Sequence, residues 1–242
     1  MSEHEIIKHT KKAYSIFTSS EMGIKNKIID ILTEIIIIVF AVSISIGLSN
    51  WSESRHERQE EKEFLIGYQK DLQSLISNMT SSRKFYMNTL NGIQYFLSVG
   101  RGAALNKDSI SRYSGIFFSS TDLDPHISRY EGLKSSGKFK IIENKELLNN
   151  IIDLHEAIIQ RIQILDEKYY EQAQKLEALV VQNVHLTKGG DIINSEEVLK
   201  RDDMIILLTT AGGIIEANII GEHDTGIKIC QEIKTQIDKE LK

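Results

Sequence analysis

Apolar residues along this chain fall into three patterns. From Ile28 to Trp51 they are nearly continuous, and Ile35 to Ser52 contains no charged side chain. From Leu65 onward, and again from Ile151 onward, they recur at steps of three and four, the spacing of one helix face. Between Gly100 and Glu143 no period is sustained.

The continuous stretch predicts a membrane span. At 1.5 Å per residue it covers about 27–36 Å, enough for a hydrocarbon layer of about 30 Å. A helix buried in a soluble core keeps a polar face. From Ile35 to Leu48 only Ser43 and Ser45 are polar, too few to form one. A cleaved signal peptide begins with a short charged region, whereas a polar tail precedes this run, so an uncleaved anchor is expected. Lys8, Lys11, Lys12, Lys25 and Lys27 precede it, while Arg55, Arg58, Lys62 and Lys70 follow among many glutamates. That bias places the amino terminus in the cytoplasm and the remainder outside it. The expected organisation is a polar cytoplasmic tail (1–27), a transmembrane helix (28–52) and an extracytoplasmic domain (53–242). Within the tail, Glu3 to Phe17 reads either as a lipid-surface helix or as flexible chain.

The first periodic stretch runs Leu65, Tyr68, Leu72, Leu75 or Ile76, Met79, then Tyr86, Leu90, Ile93 and Leu97, with Gly100 and Gly102 ending the helix. Short helices are expected over Asp108–Phe118 and Ser128–Ser136, separated by a loop around the only proline and closed by Gly137. Asn144 is a candidate N-cap. The second seam reads Ile151, His155, Ile158, Ile162, Leu165, Tyr169, Gln172, Leu176, Leu179 and Asn183, stopping at Gly189-Gly190. Asn194 with Glu197 resembles a capping box for a last helix or helix pair, with kinks expected at Gly212-Gly213 and at Gly221 to Gly226. Met204 to Gly221 is apolar enough to raise a second span, against which stand Glu216 and the Gly and Thr content.

One proline among 242 residues leaves long helices uninterrupted. The expected fold is therefore all-α. The span continues into a long helix, the helix from Asn144 packs antiparallel to it, and the carboxy-terminal helix completes a three- or four-helix bundle. A net charge of −5 argues against a basic nucleic-acid-binding face. The single Cys230 precludes an internal disulfide.

No residue pattern announces chemistry. None of the seven histidines forms HxxxH or HExxH, and no phosphate-binding glycine loop or nucleophile elbow is present. No cofactor or metal is expected, and the chain reads as non-enzymatic. His155 lies on an apolar seam and is expected as a hydrogen-bonded core residue. Asp122, Asp124 and His126 share a loop but lack the glycine and final acid of a calcium site. Asp30 and Glu34 share a face at the inner edge of the span. They read either as headgroup-level carboxylates or as a contact to a partner helix or a proton-sensitive site. Trp51 stands where an interfacial anchor belongs.

The run Glu34-Ile-Ile-Ile-Ile, followed by Asn50-Trp51-Ser-Glu53-Ser-Arg55-His-Glu57-Arg58, resembles the signature of an uncharacterised bacterial family of single-pass membrane proteins. Tyr130-Glu-Gly-Leu133 and Ile141-Ile-Glu-Asn144 resemble a second block of that family. The resemblance implies a helical protein of the cytoplasmic membrane and no activity. It marks Glu34, Asn50, Trp51, Glu53, Arg55 and Arg58 as candidates for membrane anchoring or partner contact. Ser52 stands where the family pattern has Asn. The partners implied are the lipid bilayer and either a second copy or a membrane complex. The function expected is assembly with itself or with a cell-envelope complex; the alternative is a ligand-sensing bundle that signals through a partner.

Overall fold

The structure is a computed structural model that describes Lys11 and residues 24–125, 128–188 and 192–242, without the side chains of 24–27 and Asp30. The polar tail before residue 24, with its candidate surface helix, lies outside the described residues. So do His126 and the Gly189-Gly190 stop. The chain divides into two units, Met1–Glu61 and Lys62–Lys242.

Helix α1 (Ile24–Gly100) provides the described part of the first unit from Ile24 on. Here the apolar side chains face outward: Ile36, Phe40, Ile46 and Leu48 are all more than half exposed. The hydroxyls within and beside this run bond to the carbonyl four residues back. Thr33 donates to Ile29 O at 2.8 Å, Ser43 to Val39 O at 2.8 Å and Ser45 to Ala41 O at 2.9 Å. Each polar group is thereby satisfied within its own helix, as hydrocarbon surroundings demand. The helix is a candidate membrane span by length and composition, with only 6% of its apolar window buried.

The second unit is a bundle of three long helical stretches. The first is α1 from Lys62 to Gly100. Its connection carries α2 (Lys107–Tyr113), a 3-10 turn (Ser114–Phe117), α3 (Ser128–Ser135) and a second 3-10 turn (Lys138–Ile141). The second stretch is α4 (Lys145–Asp153), a π turn (Leu154–Ile159) and α5 (Gln160–Asn183). After the short α6 (Ser195–Leu199), the third is α7 (Asp202–Ile214), a π turn (Ile215–Ile219) and α8 (Ile220–Glu240). No strand occurs among the described residues; Leu186 and Ile192 form one isolated antiparallel bridge.

Pairing between the stretches fixes their directions. Gln69 bonds Asp238, Lys234 bonds Gln73 and Arg83 bonds Asp224, so α8 runs antiparallel to α1. Asn144 bonds Glu240 and Arg161 bonds Glu222, so α7–α8 is antiparallel to α4–α5 as well. Tyr68 meets His155 while Tyr86 meets Asp166, so α4–α5 runs parallel to α1. The antiparallel packing expected for the helix from Asn144 is therefore corrected. The connection from Arg101 to Glu143 carries the chain back along the bundle before α4 begins, as a parallel neighbour requires a long return. Gly102 (φ 102°) and Gly137 (φ 66°) take left-handed turns within that return, which side chains with a Cβ disfavour.

The buried face of α1 is Leu65, Tyr68, Leu72, Leu75, Met79, Ser82, Tyr86, Thr89, Ile93 and Phe96. The steps of three and four are unbroken, because Ser82 occupies the core position between Met79 and Tyr86 that an apolar-only reading leaves vacant; Leu90 is buried as expected, with Thr89 buried beside it. Leu75 rather than Ile76, and Phe96 rather than Leu97, face inward. The second seam also shifts. Its π turn at Leu154–Ile159 adds a residue to one turn, so Ile159, Asp166 and Ala173 are buried where Ile158, Leu165 and Gln172 were expected.

Helix ends follow local hydrogen bonds. Asn144 caps α4 as expected, its Oδ1 accepting from Leu147 N at 3.0 Å. α5 stops at Asn183, before the expected glycine pair. Asn194 turns its amide onto Asn183 O and accepts from His185 N, both at 2.8 Å, so it closes α5 and makes no side-chain cap on α6. Between the two glycine sites where kinks were expected, the helix is interrupted by the π turn at Ile215–Ile219, and Gly212 and Gly226 admit α1 closely. A Cβ would stand 3.1 Å from Ile93 at Gly212 and 2.8 Å from the Met79 sulfur at Gly226. The stretch Asp202–Glu240 also passes the length-and-apolarity test for a span, but 33% of its window is buried in the bundle.

Substitution at these glycines has opposite expected signs. Gly226→Val crowds Met79 and is expected to lower stability by about 1–3 kcal/mol. Gly213→Ala, which faces open space in α7, is expected to raise it by about 0.5–1 kcal/mol. Urea unfolding of the detergent-solubilised chain, followed by helical circular dichroism, reads both.

Candidate functional site

Two apolar clusters fill the bundle. One joins Leu65–Met79 of α1 to Ile142, Leu147–Ile162 and Cys230–Ile237. The other joins Tyr86–Val99 to Phe117, Tyr169–Val180 and Val198–Ile219. Between them, all three stretches place a buried polar side chain at one level: Ser82, Asp166 and His223.

Asp166 is 4% exposed and carries the centre of this layer. Tyr86 donates its hydroxyl hydrogen to Oδ1 at 2.7 Å, and the Leu123 backbone N–H donates to Oδ2 at 3.2 Å. Burial nevertheless dominates and holds the carboxyl above the usual Asp range, while burial and the Asp166 charge push the Tyr86 hydroxyl well above its ordinary value. His223 has no exposed surface. Its Nδ1 lies 2.9 Å from Ile219 O, which makes Nδ1 the protonated nitrogen. Nε2 is left without a partner, and the ring meets Tyr86 edge-on at 5.7 Å.

Outside Asp166 the surface opens into a polar cavity of about 470 Å³ lined by Ser120, Thr121, Asp122, Gln163, Glu167 and Tyr170. Among the described residues no group of three or more His, Cys, Asp or Glu is placed to hold a metal ion.

A second polar cluster lies inside the first apolar cluster. His155 stacks on Tyr130 with centroids 3.9 Å apart and planes 4° apart, and its Nε2 lies 2.9 Å from the Tyr68 hydroxyl. Tyr130 OH and Lys134 Nζ both donate to Glu156 Oε1, at 2.7 and 2.6 Å. The hydrogen-bonded core role expected of His155 is what the geometry shows. Burial pushes its pKa down to about 4, helped by the Lys134 charge and outweighing the opposing pull of the Glu156 carboxylate.

A third feature is an apolar cavity of about 330 Å³ at the end of the bundle where Gly100 and Asn183 lie. Phe96, Phe117, Val180, Val184, Val198 and Met204 line it. Val181, Leu186, Ile192 and Phe118 also line it and are themselves exposed.

The sequence candidates lie elsewhere, on the first unit. Asn50, Trp51, Glu53, Arg55 and Arg58 are exposed on α1. The Arg55 guanidinium sits 5.0 Å over the Trp51 ring, a cation–π pair one helical turn apart. Glu34 is 3% exposed and takes part in a polar interaction, although Ile35 and Ile36 beside it are exposed. The Asp30 side chain lies outside the described residues. The sequence reading missed Asp166, Tyr86 as its donor, and His223 as a core group. Asp166 was detectable only as an acid one step off a seam of apolar residues, and the π turn that moves it inward has no sequence signature. Comparison of the chain with protein-family models, curated proteins and solved structures gave no match.

The His155 environment predicts a pH dependence. The folded state holds the imidazole neutral to about pH 4, whereas the unfolded chain protonates near pH 6.5. The unfolded state therefore binds more protons in this window, and stability is lost as pH falls from about 6.5 to 4. The His155 contribution is expected to be about 3 kcal/mol at 1.36 kcal/mol per pH unit. Unfolding at a series of pH values, compared with His155→Phe, isolates it: the variant should lack this part of the slope.

Proposed function

We propose that the protein is a non-enzymatic, membrane-anchored helical module of a bacterial cytoplasmic membrane that assembles with itself or with a cell-envelope complex. The amino terminus lies in the cytoplasm and the bundle on the far side. The observation that carries this reading is the contrast between the units: Ile35–Leu48 presents apolar side chains outward and satisfies its own hydroxyls, while the bundle buries its apolar seams. The lysine-rich amino-terminal flank supports the orientation. Trp51 with Arg55 supports an interfacial boundary there, and the resemblance carried by Glu34 and the Asn50–Arg58 run supports the location. The core titratable groups Asp166, His155 and Tyr130 engage partners within the chain, which supports a structural rather than catalytic use of them.

A second reading, an extracytoplasmic ligand-sensing bundle, is favoured by one observation. The apolar seams close within the chain, and the described residues enclose an apolar cavity and a polar one.

The protein is expected to stay in the membrane fraction through alkaline carbonate, and a carboxy-terminal alkaline phosphatase fusion is expected to be active. Release by carbonate, or activity only of a cytoplasmic reporter, would overturn the membrane assignment or its orientation. Light scattering of the solubilised chain is expected to give a mass above one copy or a co-purifying partner; a strict monomer alone refutes the assembly reading.

A further inference from the structure

The apolar cavity at the Gly100 end of the bundle is a built space rather than a surface irregularity. Parts of the chain distant in sequence wall it: Phe96 of α1, Ile110 of α2, the 3-10 turn that follows, the end of α5 with the Leu186–Ile192 bridge, and the α6–α7 corner. No Asp, Glu, Lys or Arg lines it. The buried part of an occupant is therefore uncharged, since nothing there would offset the loss of hydration. Ser114 and Ser195 are among the lining residues and bring the polar side chains to it. They suit a single neutral polar head.

Volume sets the size. An apolar cavity of about 150 Å³ stays dry and takes benzene, a six-carbon molecule. A cavity of about 330 Å³ therefore accommodates about twelve carbons on the same scale. The size also falls within the range of ordinary ligand sites, about 300–1,000 Å³, which are mainly apolar with a few polar groups.

We infer that this cavity is a binding site for a neutral, medium-length alkyl compound, an aliphatic chain of about twelve carbons with a hydroxyl or carbonyl head held by Ser114 and Ser195. This gives the second reading above its ligand class. It concerns the cavity alone, so it can fail while the membrane anchorage stands.

The test uses the full chain in lipid nanodiscs and a dodecan-1-ol analogue bearing an alkyl diazirine. After illumination, labelled residues are mapped by mass spectrometry. Labelling in Ile35–Leu48 is expected from any lipid-soluble probe and serves as the internal control for anchorage. At the cavity, the expected result is saturable labelling within residues 180–204, competed by unlabelled dodecan-1-ol. Val184→Trp, which fills the space from an extended backbone position after α5, is expected to reduce that labelling at least tenfold while leaving the control labelling unchanged. Ser114→Ala with Ser195→Ala is expected to weaken competition by dodecan-1-ol and to leave competition by dodecane unaltered. Labelling confined to Ile35–Leu48, or cavity labelling that neither saturates nor competes in the unsubstituted protein, overturns the inference whether or not the variants fold.

Discussion

The bundle depends on a polar layer that must be satisfied from within. Asp166 projects into the core on α5, where an unpaired carboxylate would be costly to bury. Tyr86 from α1 and the Leu123 amide from the connection supply its donors. Three separate parts of the chain are thereby tied to one carboxylate. Sliding α5 along α1 by one turn would strand both Asp166 and the Tyr86 hydroxyl, so this layer selects a register that apolar contacts alone do not distinguish. His223 completes the level from α8 with one nitrogen satisfied and one left bare, at a cost of about 1–3 kcal/mol for the unmade bond.

That register explains two features that look like irregularities. Each of the two later stretches contains a π turn, at Leu154–Ile159 and at Ile215–Ile219, and each turn contains or closely precedes a buried histidine. A straight α-helix drifts relative to a repeat of 3.5 residues. One extra residue in a turn resets which face points inward. In α5 the reset brings Asp166 rather than Leu165 to the core; in α8 it is followed by His223 and then Gly226 against Met79. The polar layer and the close approach at Gly226 thus follow π turns on the same stretches.

The connection from Arg101 to Glu143 is also a consequence. Because α4–α5 runs parallel to α1, the chain must return the length of the bundle between them. On that return it places Leu123 N at Asp166, Tyr130 against His155, and Ile116 and Phe117 in the second apolar cluster. What reads as the least regular segment supplies partners to both buried polar clusters.

The apolar run, the near absence of proline, the end of α1 at Gly100, the Asn144 cap and the Gly137 turn were legible because each is a local matter: backbone conformation, capping and hydrophobic length act over a few residues. Most of each seam was legible for the same reason, since helix periodicity is local. The direction of α4–α5, the burial of Asp166, the use of Asn194 on α5 and the cavity at the Gly100 end were decided by tertiary structure alone. They turn on a one-residue shift at a π turn or on groups brought together from distant positions. Burial energy compares whole arrangements of helices, whereas a spacing rule compares neighbours along one of them.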